Sequence, residues 1–202
     1  MKLIIFSGFL GSGKTLLILS LAEKILRNAD VSRINIVIIE NEIGETGIDD
    51  KVLNDAGYEV RTMLAGCICC TLSVDLTIAL NDILDKYDPE YVIFEPTGIA
   101  LPDRIVKTVE EYGKGISDVS IITVVDAKRY DMLTHMTPSL LSGQLKPAEF
   151  IFINKCDLVS EDALEEISSE VSRTNGAAKV FRVSALNGIS EGIWDEVIHR
   201  HE

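Results

Sequence analysis

Short runs of apolar, mostly β-branched residues alternate along the chain with longer segments in which apolar residues recur at helical spacing. The short runs predict strands at residues 2–6, 34–40, 58–63, 91–94, 118–125, 149–154 and 178–183. The longer segments predict helices near residues 14–28, 72–86, 100–112, 160–173 and 189–200. Strands and helices that alternate in this order are typical of an α/β fold, with a mostly parallel, twisted sheet covered by helices on both faces.

Size and charge restrict the classes of protein to consider. The 202 residues contain no linker rich in Pro or Gly, so we expect a single domain over residues 1–202. A formal charge of −13 with scattered Lys and Arg argues against nucleic acid and anionic membrane partners. No apolar run could cross a bilayer, and the N-terminus lacks the pattern of a signal peptide. Three of the four cysteines lie close together, which is not a disulfide framework, so we expect a cytoplasmic protein.

The first predicted strand runs directly into a glycine-rich loop and then into an apolar helix. This loop reads Gly8-Phe9-Leu10-Gly11-Ser12-Gly13-Lys14-Thr15, which fits the P-loop pattern in its strand–loop–helix context. The glycines allow backbone N–H groups to approach phosphates, and Lys14 brings a positive charge to the β- and γ-phosphates. The Thr15 hydroxyl is placed to ligate Mg²⁺. We therefore expect a P-loop NTPase whose phosphate site comprises Gly8, Gly11, Ser12, Gly13, Lys14 and Thr15.

Two further loops after strands indicate which base is bound. The first contains Asn154, Lys155 and Asp157, and the second is Ser184-Ala185-Leu186. The Asp157 carboxylate can accept hydrogen bonds from N1–H and the 2-amino group of guanine, whereas adenine has no donor at either position. Lys155 can cover one face of the base, Asn154 can hold this loop against the P-loop, and backbone N–H groups at 184–186 can reach guanine O6. The sequence therefore predicts a GTP site.

Acidic residues after two other strands are candidates for the parts that respond to the nucleotide. Glu95 can hold Mg²⁺ directly or through water, and the backbone N–H of Gly98 is expected to meet the γ-phosphate. The segment at residues 40–49 contains four acidic residues, of which we favour Glu42 for positioning water or binding metal. No residue is a convincing general base. We expect slow intrinsic hydrolysis that depends on Lys14, Glu95 and Glu42.

Cys67, Cys69 and Cys70 form a cluster between these two acidic segments. Three thiolates within four residues favour soft or borderline ions such as Zn²⁺ or Cu(I). Three ligands leave a position that Glu42 or a water could fill, and such a site can pass its ion on. Redox chemistry and a purely structural role remain the alternatives, although adjacent cysteines could form only a strained disulfide.

Taken together, these motifs resemble those of the CobW-like metal-handling GTPases, which are related to the GTPases that mature urease and hydrogenase. The residues that carry the resemblance are Gly8–Thr15, Asn41-Glu42, Gly47-Ile48-Asp49, Gly66–Thr71, Glu95–Gly98 and Asn154–Asp157. The resemblance implies a GTPase of the SIMIBI type that acts as a metallochaperone or insertase. It also implies that Cys67, Cys69 and Cys70 carry the transition metal, with Mg²⁺ and GTP organising that site. Typical members add a C-terminal domain, often with a His-rich stretch, neither of which this sequence shows, and Pro96 stands where Thr or Ser is common.

The leading hypothesis is a GTPase that couples its nucleotide state to the binding and delivery of a transition metal to a client metalloprotein. Zn²⁺ is the default ion from its ligands, while Co²⁺ and Ni²⁺ stay open. A nucleotide-dependent homodimer is suggested by family analogy. One alternative is a regulatory GTPase that activates a metalloenzyme, such as a cobalt- or corrinoid-dependent one, without carrying metal. A P-loop kinase of small molecules is disfavoured by the guanine loop.

Overall fold

A computed structural model of the chain describes residues 1–27, 35–40, 59–62 and 72–199, and at residues 59–62 and 72–75 it describes the backbone only. The strands in these residues are β1 (Lys2–Ser7), β2 (Ile36–Glu40), β3 (Glu59–Thr62), β4 (Tyr91–Glu95), β5 (Asp118–Asp126), β6 (Phe150–Asn154) and β7 (Lys179–Arg182). The helices are α1 (Lys14–Leu26), α2 (Leu72–Tyr87), α3 (Pro102–Tyr112), α4 (Tyr130–Met136), α5 (Pro138–Leu145), α6 (Glu161–Thr174) and α7 (Glu191–Ile198). Short 3₁₀ turns follow β5 at Ala127–Arg129 and β6 at Cys156–Leu158.

The strands form one sheet in the order β3-β2-β4-β1-β5-β6-β7, with β1 in the middle. Every pair of neighbouring strands is parallel. Parallel strands need crossover connections, and the helices supply them. The predicted α/β class with a parallel sheet is therefore confirmed.

Side chains from β1 point alternately to the two faces of the sheet and enter two separate cores. Leu3 and Ile5 belong to a core that also contains buried residues of α2, α3, α5 and α6. Ile4 and Phe6 belong to a second core with buried residues of α1 and α7. Since both faces are covered, β1 has no solvent-exposed side, which explains why its sequence is continuously apolar.

The segment between β5 and β6 departs from the sequence prediction. It contains helices α4 and α5, of 7 and 8 residues, for which no helix was predicted. Helices of two turns offer too few positions for a periodic pattern, and Pro138 at the start of α5 interrupts the run further. Elsewhere the predicted strands and helices are confirmed with shifts of one or two residues at their ends.

The carboxyl ends of the strands lie along one edge of the sheet, where ligands bind in folds of this kind. Strand pairing places Glu40 of β2 opposite both Thr62 of β3 and Glu95 of β4. The same edge contains Asp126 of β5 opposite Asn154 of β6. None of the described helices is both long enough and apolar enough to cross a membrane.

Candidate functional site

The loop between β1 and α1 packs so closely against neighbouring residues that it requires glycine at two positions. A Cβ on Gly8 would lie 2.3 Å from the carbonyl oxygen of Val124, and one on Gly13 would lie 2.3 Å from Nδ2 of Asn154. Both glycines also have positive φ, of 131° and 98°, which other residues rarely adopt. The N–H of Ser12 donates to Phe9 O at 3.1 Å, closing the turn. The loop thus has the tight curvature that lets N–H groups converge on a phosphate.

Lys14 and Thr15 open α1 and both contact Glu95 at the end of β4. Lys14 is 4% exposed, and its Nζ lies 3.4 Å from Oε1 of Glu95 and donates to Phe9 O at 3.3 Å. The Thr15 hydroxyl donates to the other carboxylate oxygen at 3.1 Å. A cation, a hydroxyl and a carboxylate, predicted from separate motifs, therefore meet at the start of α1.

Gly98 follows β4 and lies against the P-loop. A Cβ on this residue would come within 2.5 Å of Leu10 N and 3.2 Å of Phe9 C. Any larger residue would push the two loops apart. The candidate sensor and the phosphate loop are thus in direct backbone contact.

The loops predicted to bind guanine are joined to each other and to the P-loop through Asn154. Its side chain is buried, its Nδ2 donates to Ser12 O at 2.8 Å, and its Oδ1 accepts from the N–H of Ala185 at 2.9 Å. A pocket of about 350 Å³ lies beside this amide. It is lined by Gly11, Gly13, Leu16, Asn154, Lys155, Asp157, Leu158, Ser184, Ala185 and Leu186. The residues predicted from two distant loops therefore share one cavity next to the P-loop.

The structure adds a charged cluster that the sequence reasoning missed. Asp126 ends β5 with a side chain that is 0% exposed, and one of its carboxylate oxygens accepts from Lys155 Nζ at 2.6 Å and Arg129 Nε at 2.7 Å. Lys155 also donates to Gly11 O at 2.7 Å, and Arg129 donates to Leu10 O at 2.6 Å. Together with the bond from Asn154 to Ser12, three successive P-loop carbonyls are each held by a different side chain. The only hint in the sequence is an acidic residue at the end of an apolar strand.

Lys155 carries a further sign of constraint. Its φ of 63° is left-handed, which is unusual for a residue with a side chain. Its ammonium group bridges Gly11 of the P-loop and Asp126 of β5, so the surrounding contacts hold this conformation in place. The arrangement fixes the start of the loop at residues 154–157 relative to the P-loop.

Replacing Asp126 with asparagine is expected to destabilise the protein in a pH-dependent way. Burial alone would raise the pKa of Asp126, but hydrogen bonds from Lys155 and Arg129 outweigh it and lower the pKa below its usual 3.8. The carboxylate therefore stabilises the folded state above that pH, and its contribution is lost as pH falls through the lower folded-state pKa. We expect the free energy of unfolding to fall by about 2 kcal/mol at neutral pH. The loss is smaller than for a fully buried ion pair, because both cations are partly exposed.

Urea unfolding of the two proteins from about pH 7 to pH 3 measures this difference, which should shrink towards the acid end. Asparagine retains an oxygen that can accept a hydrogen bond from the backbone N–H of Arg129, as Asp126 Oδ1 does at 3.3 Å. The variant therefore differs from the unaltered protein mainly in charge. Asp85→Asn, at an exposed position in α2, is the matched control. A pH-independent difference would show that the ion pairs contribute nothing.

Some predicted site residues lie outside the described part of the chain. These are Glu42 and the three cysteines Cys67, Cys69 and Cys70. Within the described residues, no group of three or more His, Cys, Asp or Glu side chains is arranged to hold a metal ion. Glu40, which begins the acidic segment, is buried beside Glu95 on the neighbouring strand. The geometry therefore supports the nucleotide site directly and leaves the transition-metal site as a prediction.

Comparison with known proteins places this geometry in context. A family model described as CobW/HypB/UreG, nucleotide-binding domain, matches residues 2–182. The zinc chaperone CobW of Sinorhizobium sp is 32% identical over 91% of this chain and 58% of its own length. The zinc-regulated GTPase metalloprotein activator 1 of Schizosaccharomyces pombe is also 32% identical, over 93% of this chain and 47% of its own length.

A solved structure shows the same arrangement of the chain. The Zn(II)-bound YjiA GTPase from E. coli superposes with a TM-score of 0.67 at 25% sequence identity, covering 96% of this chain and 60% of that one. The chain therefore spans between 47% and 60% of the length of these three proteins. The likeness extends over nearly all of this chain but over only part of each relative.

Proposed function

The chain belongs to the CobW/HypB/UreG family of nucleotide-binding domains, and on that premise we propose that it is a GTPase whose nucleotide state controls the binding and delivery of a transition metal. The observation that carries the GTPase part of the proposal is the meeting of Lys14, Thr15 and Glu95 beside the tight glycine loop. A lysine that directly follows such a loop places its positive charge where the β- and γ-phosphates bind. The proposed catalytic residues are Lys14 and Glu95, together with Glu42.

The same residues fit a magnesium ion bound with the nucleotide. Thr15 and Glu95 offer a hydroxyl and a carboxylate, 3.1 Å apart, which are the hard oxygen ligands that Mg²⁺ prefers. We propose that they would hold Mg²⁺, which when bound neutralises charge on the phosphates. Lys14 then binds the β- and γ-phosphates, and the Gly98 N–H contacts the γ-phosphate.

The guanine pocket determines which nucleotide is used. Asp157 is exposed at the edge of the pocket, where its carboxylate can accept hydrogen bonds from the base. Ser184, Ala185 and Leu186 line the other side, and Asn154 sets the distance between the two loops. We propose that this pocket selects GTP over ATP because adenine leaves the acceptor at Asp157 unmatched.

Chain connectivity supports a link between the nucleotide and the cysteine trio. Thr62 ends β3 at the carboxyl edge of the sheet, and Cys67 comes five residues later. Five residues of extended chain span at most about 18 Å. The length of the chain therefore limits how far Cys67 can lie from the sheet edge that carries Glu95. We propose that Cys67, Cys69 and Cys70, with Glu42, bind the transported ion, and that GTP hydrolysis releases it to a client metalloprotein.

The decisive experiment is a metal titration in two nucleotide states. Protein purified without oxygen is titrated with Zn²⁺ or Co²⁺ in the presence of Mg²⁺ and either GDP or a non-hydrolysable GTP analogue. We expect one ion per chain, bound about tenfold more tightly with the analogue, a coupling in the usual range for linked sites. Cobalt gives an optical signal when thiolates ligate it.

Two variants make the titration specific. Changing Cys67, Cys69 and Cys70 to serine should abolish binding, whereas Cys156→Ser, at a free cysteine after β6, should leave it unchanged. Equal retention of metal with both nucleotides would refute the coupling. If the triple variant still binds a partner metalloprotein in the presence of GTP, the regulatory activator that carries no metal becomes the better description. Light scattering during the same titration tests the nucleotide-dependent homodimer.

A further inference from the structure

Gln144 of α5 is a completely buried polar side chain that the proposed mechanism does not use. Its Nε2 donates to two backbone carbonyls of the turn after β4, to Gly98 O at 3.0 Å and to Ala100 O at 3.2 Å. Both hydrogens of the amide group are thereby used. The turn itself is closed by a bond from Ala100 N to Thr97 O at 2.9 Å. Gln144 therefore holds the backbone on either side of Ile99.

The opposite side of this turn is fixed by the P-loop. The space where a Gly98 Cβ would lie is 2.5 Å from Leu10 N, so the two backbones are already in contact. The turn is consequently clamped between Gln144 and the P-loop. Movement of Gly98 away from the phosphate loop would have to displace the amide of Gln144.

Helix α5, which carries Gln144, is itself held in place by contacts with neighbouring elements. The backbone oxygen of Gln144 accepts a hydrogen bond of 2.8 Å from Thr123 Oγ1, which is buried in β5. Thr123 pairs with Ser7, the last residue of β1 before the P-loop. Gly143 lets the helix approach closely, because a Cβ there would lie 2.7 Å from Leu101 Cδ2. Strand β5 thus connects the support of Gln144 to the strand that carries the P-loop.

The amide oxygen of Gln144 makes no comparable contact within the described part of the chain. Oε1 of Gln144 is buried and has no hydrogen-bond donor among the described residues. A buried amide oxygen without a donor is unfavourable, so the burial of this side chain is compensated by its two bonds to Gly98 and Ala100. Among the described residues, the side chain of this glutamine therefore makes its hydrogen bonds only to the turn, which it holds in place.

We propose that Gln144 is a positioning residue that sets the direction of the Gly98 N–H, and through it the preference for a triphosphate over a diphosphate. The N–H and C=O of Gly98 flank one Cα, so fixing the carbonyl restricts where the N–H points. The inference rests on the proposed function, in which that N–H contacts the γ-phosphate. A γ-phosphate is present only in GTP, so the effect of Gln144 is confined to GTP.

The test replaces Gln144 with methionine, which has a similar length and no donor. We expect the ratio of affinities for a non-hydrolysable GTP analogue and for GDP to fall about tenfold, as the loss of two buried hydrogen bonds would give. Affinity for GDP should stay within about twofold, because GDP lacks the γ-phosphate that the Gly98 N–H is proposed to contact. Fluorescent forms of the two nucleotides, measured on the same preparation, give the ratio independently of the folded fraction.

Gln144→Glu is the second variant, because it keeps the shape and exchanges the donors for a carboxylate that faces two carbonyls. Val171→Ala, at a fully buried position in α6, controls for loss of stability alone and should leave the ratio unchanged. An unchanged ratio in both Gln144 variants would overturn the positioning role while leaving the GTPase proposal intact. Absence of GTP binding in the unaltered protein would instead overturn the proposed function, and this inference with it.

Discussion

Replacing Lys14 with alanine is expected to lower the rate of GTP hydrolysis by about a thousandfold, because the variant loses a charged group that stabilises developing charge in the transition state. The structure supports a large effect, because Lys14 is 4% exposed and its ammonium group lies between Phe9 O and the Glu95 carboxylate. A charge in such a site is screened far less than one in water. Phosphate release with saturating GTP and Mg²⁺ measures the rate.

Stability must be separated from catalysis in this experiment. Removing Lys14 also takes a cation away from the nearly buried carboxylate of Glu95, and breaking such a pair destabilises a fold. Thermal unfolding of each preparation therefore accompanies the kinetic measurement. Lys107→Ala on the exposed side of α3 is the matched control and should leave turnover unchanged. Turnover close to that of the unaltered protein in the Lys14 variant would mean that the glycine loop does not serve hydrolysis.

The sequence predicted the central part of the fold because local and tertiary requirements agree there. Strand β2 shows why, since all five of its residues are buried and the first four of them are apolar. The P-loop was equally predictable, because the backbone at Gly8 and Gly13 leaves no room for a side chain. The family resemblance that these motifs suggested is confirmed by a match over residues 2–182.

The segment between β5 and β6 was not predictable on the same grounds. Helices α4 and α5 are too short for a periodic signal, and exposed Met132 and Met136 make the apolar pattern irregular. Glutamine is also among the residues that are mostly exposed, so nothing local marks Gln144 as buried. Its environment is created by a turn that lies 44 and 46 residues earlier in the chain.

The cluster around Asp126 illustrates a second limit on predicting a site from sequence. Lys155 lies 29 residues from Asp126 in the sequence, and Leu10 lies 119 residues from the Arg129 that binds it. No motif spacing connects such residues until the strand order is known. The order β4-β1-β5-β6 brings the ends of these strands to one edge, and only then do residues that are far apart in the sequence form one site.

Replacing Asp157 with asparagine is expected to reduce the preference for GTP over ATP by about a hundredfold, since the loss falls on hydrogen bonds that discriminate between bases. The carboxylate can accept from both N1–H and the 2-amino group of guanine, whereas an amide offers one acceptor and one donor group. The variant should therefore gain affinity for xanthosine triphosphate, which has a carbonyl oxygen where guanine has its amino group. Competition binding with the three nucleotides measures both changes.

A loss of stability in the Asp157 variant could not produce the predicted gain in affinity for xanthosine triphosphate. A variant that is merely unstable loses affinity for every nucleotide, whereas an exchanged pattern of donors and acceptors lowers one affinity and raises another. Asp162→Asn, an exposed position in the first turn of α6, makes the same chemical change outside the pocket and should alter neither. Unchanged discrimination between GTP and ATP in the Asp157 variant would remove this residue from base recognition. The pocket beside Asn154 would then require another explanation.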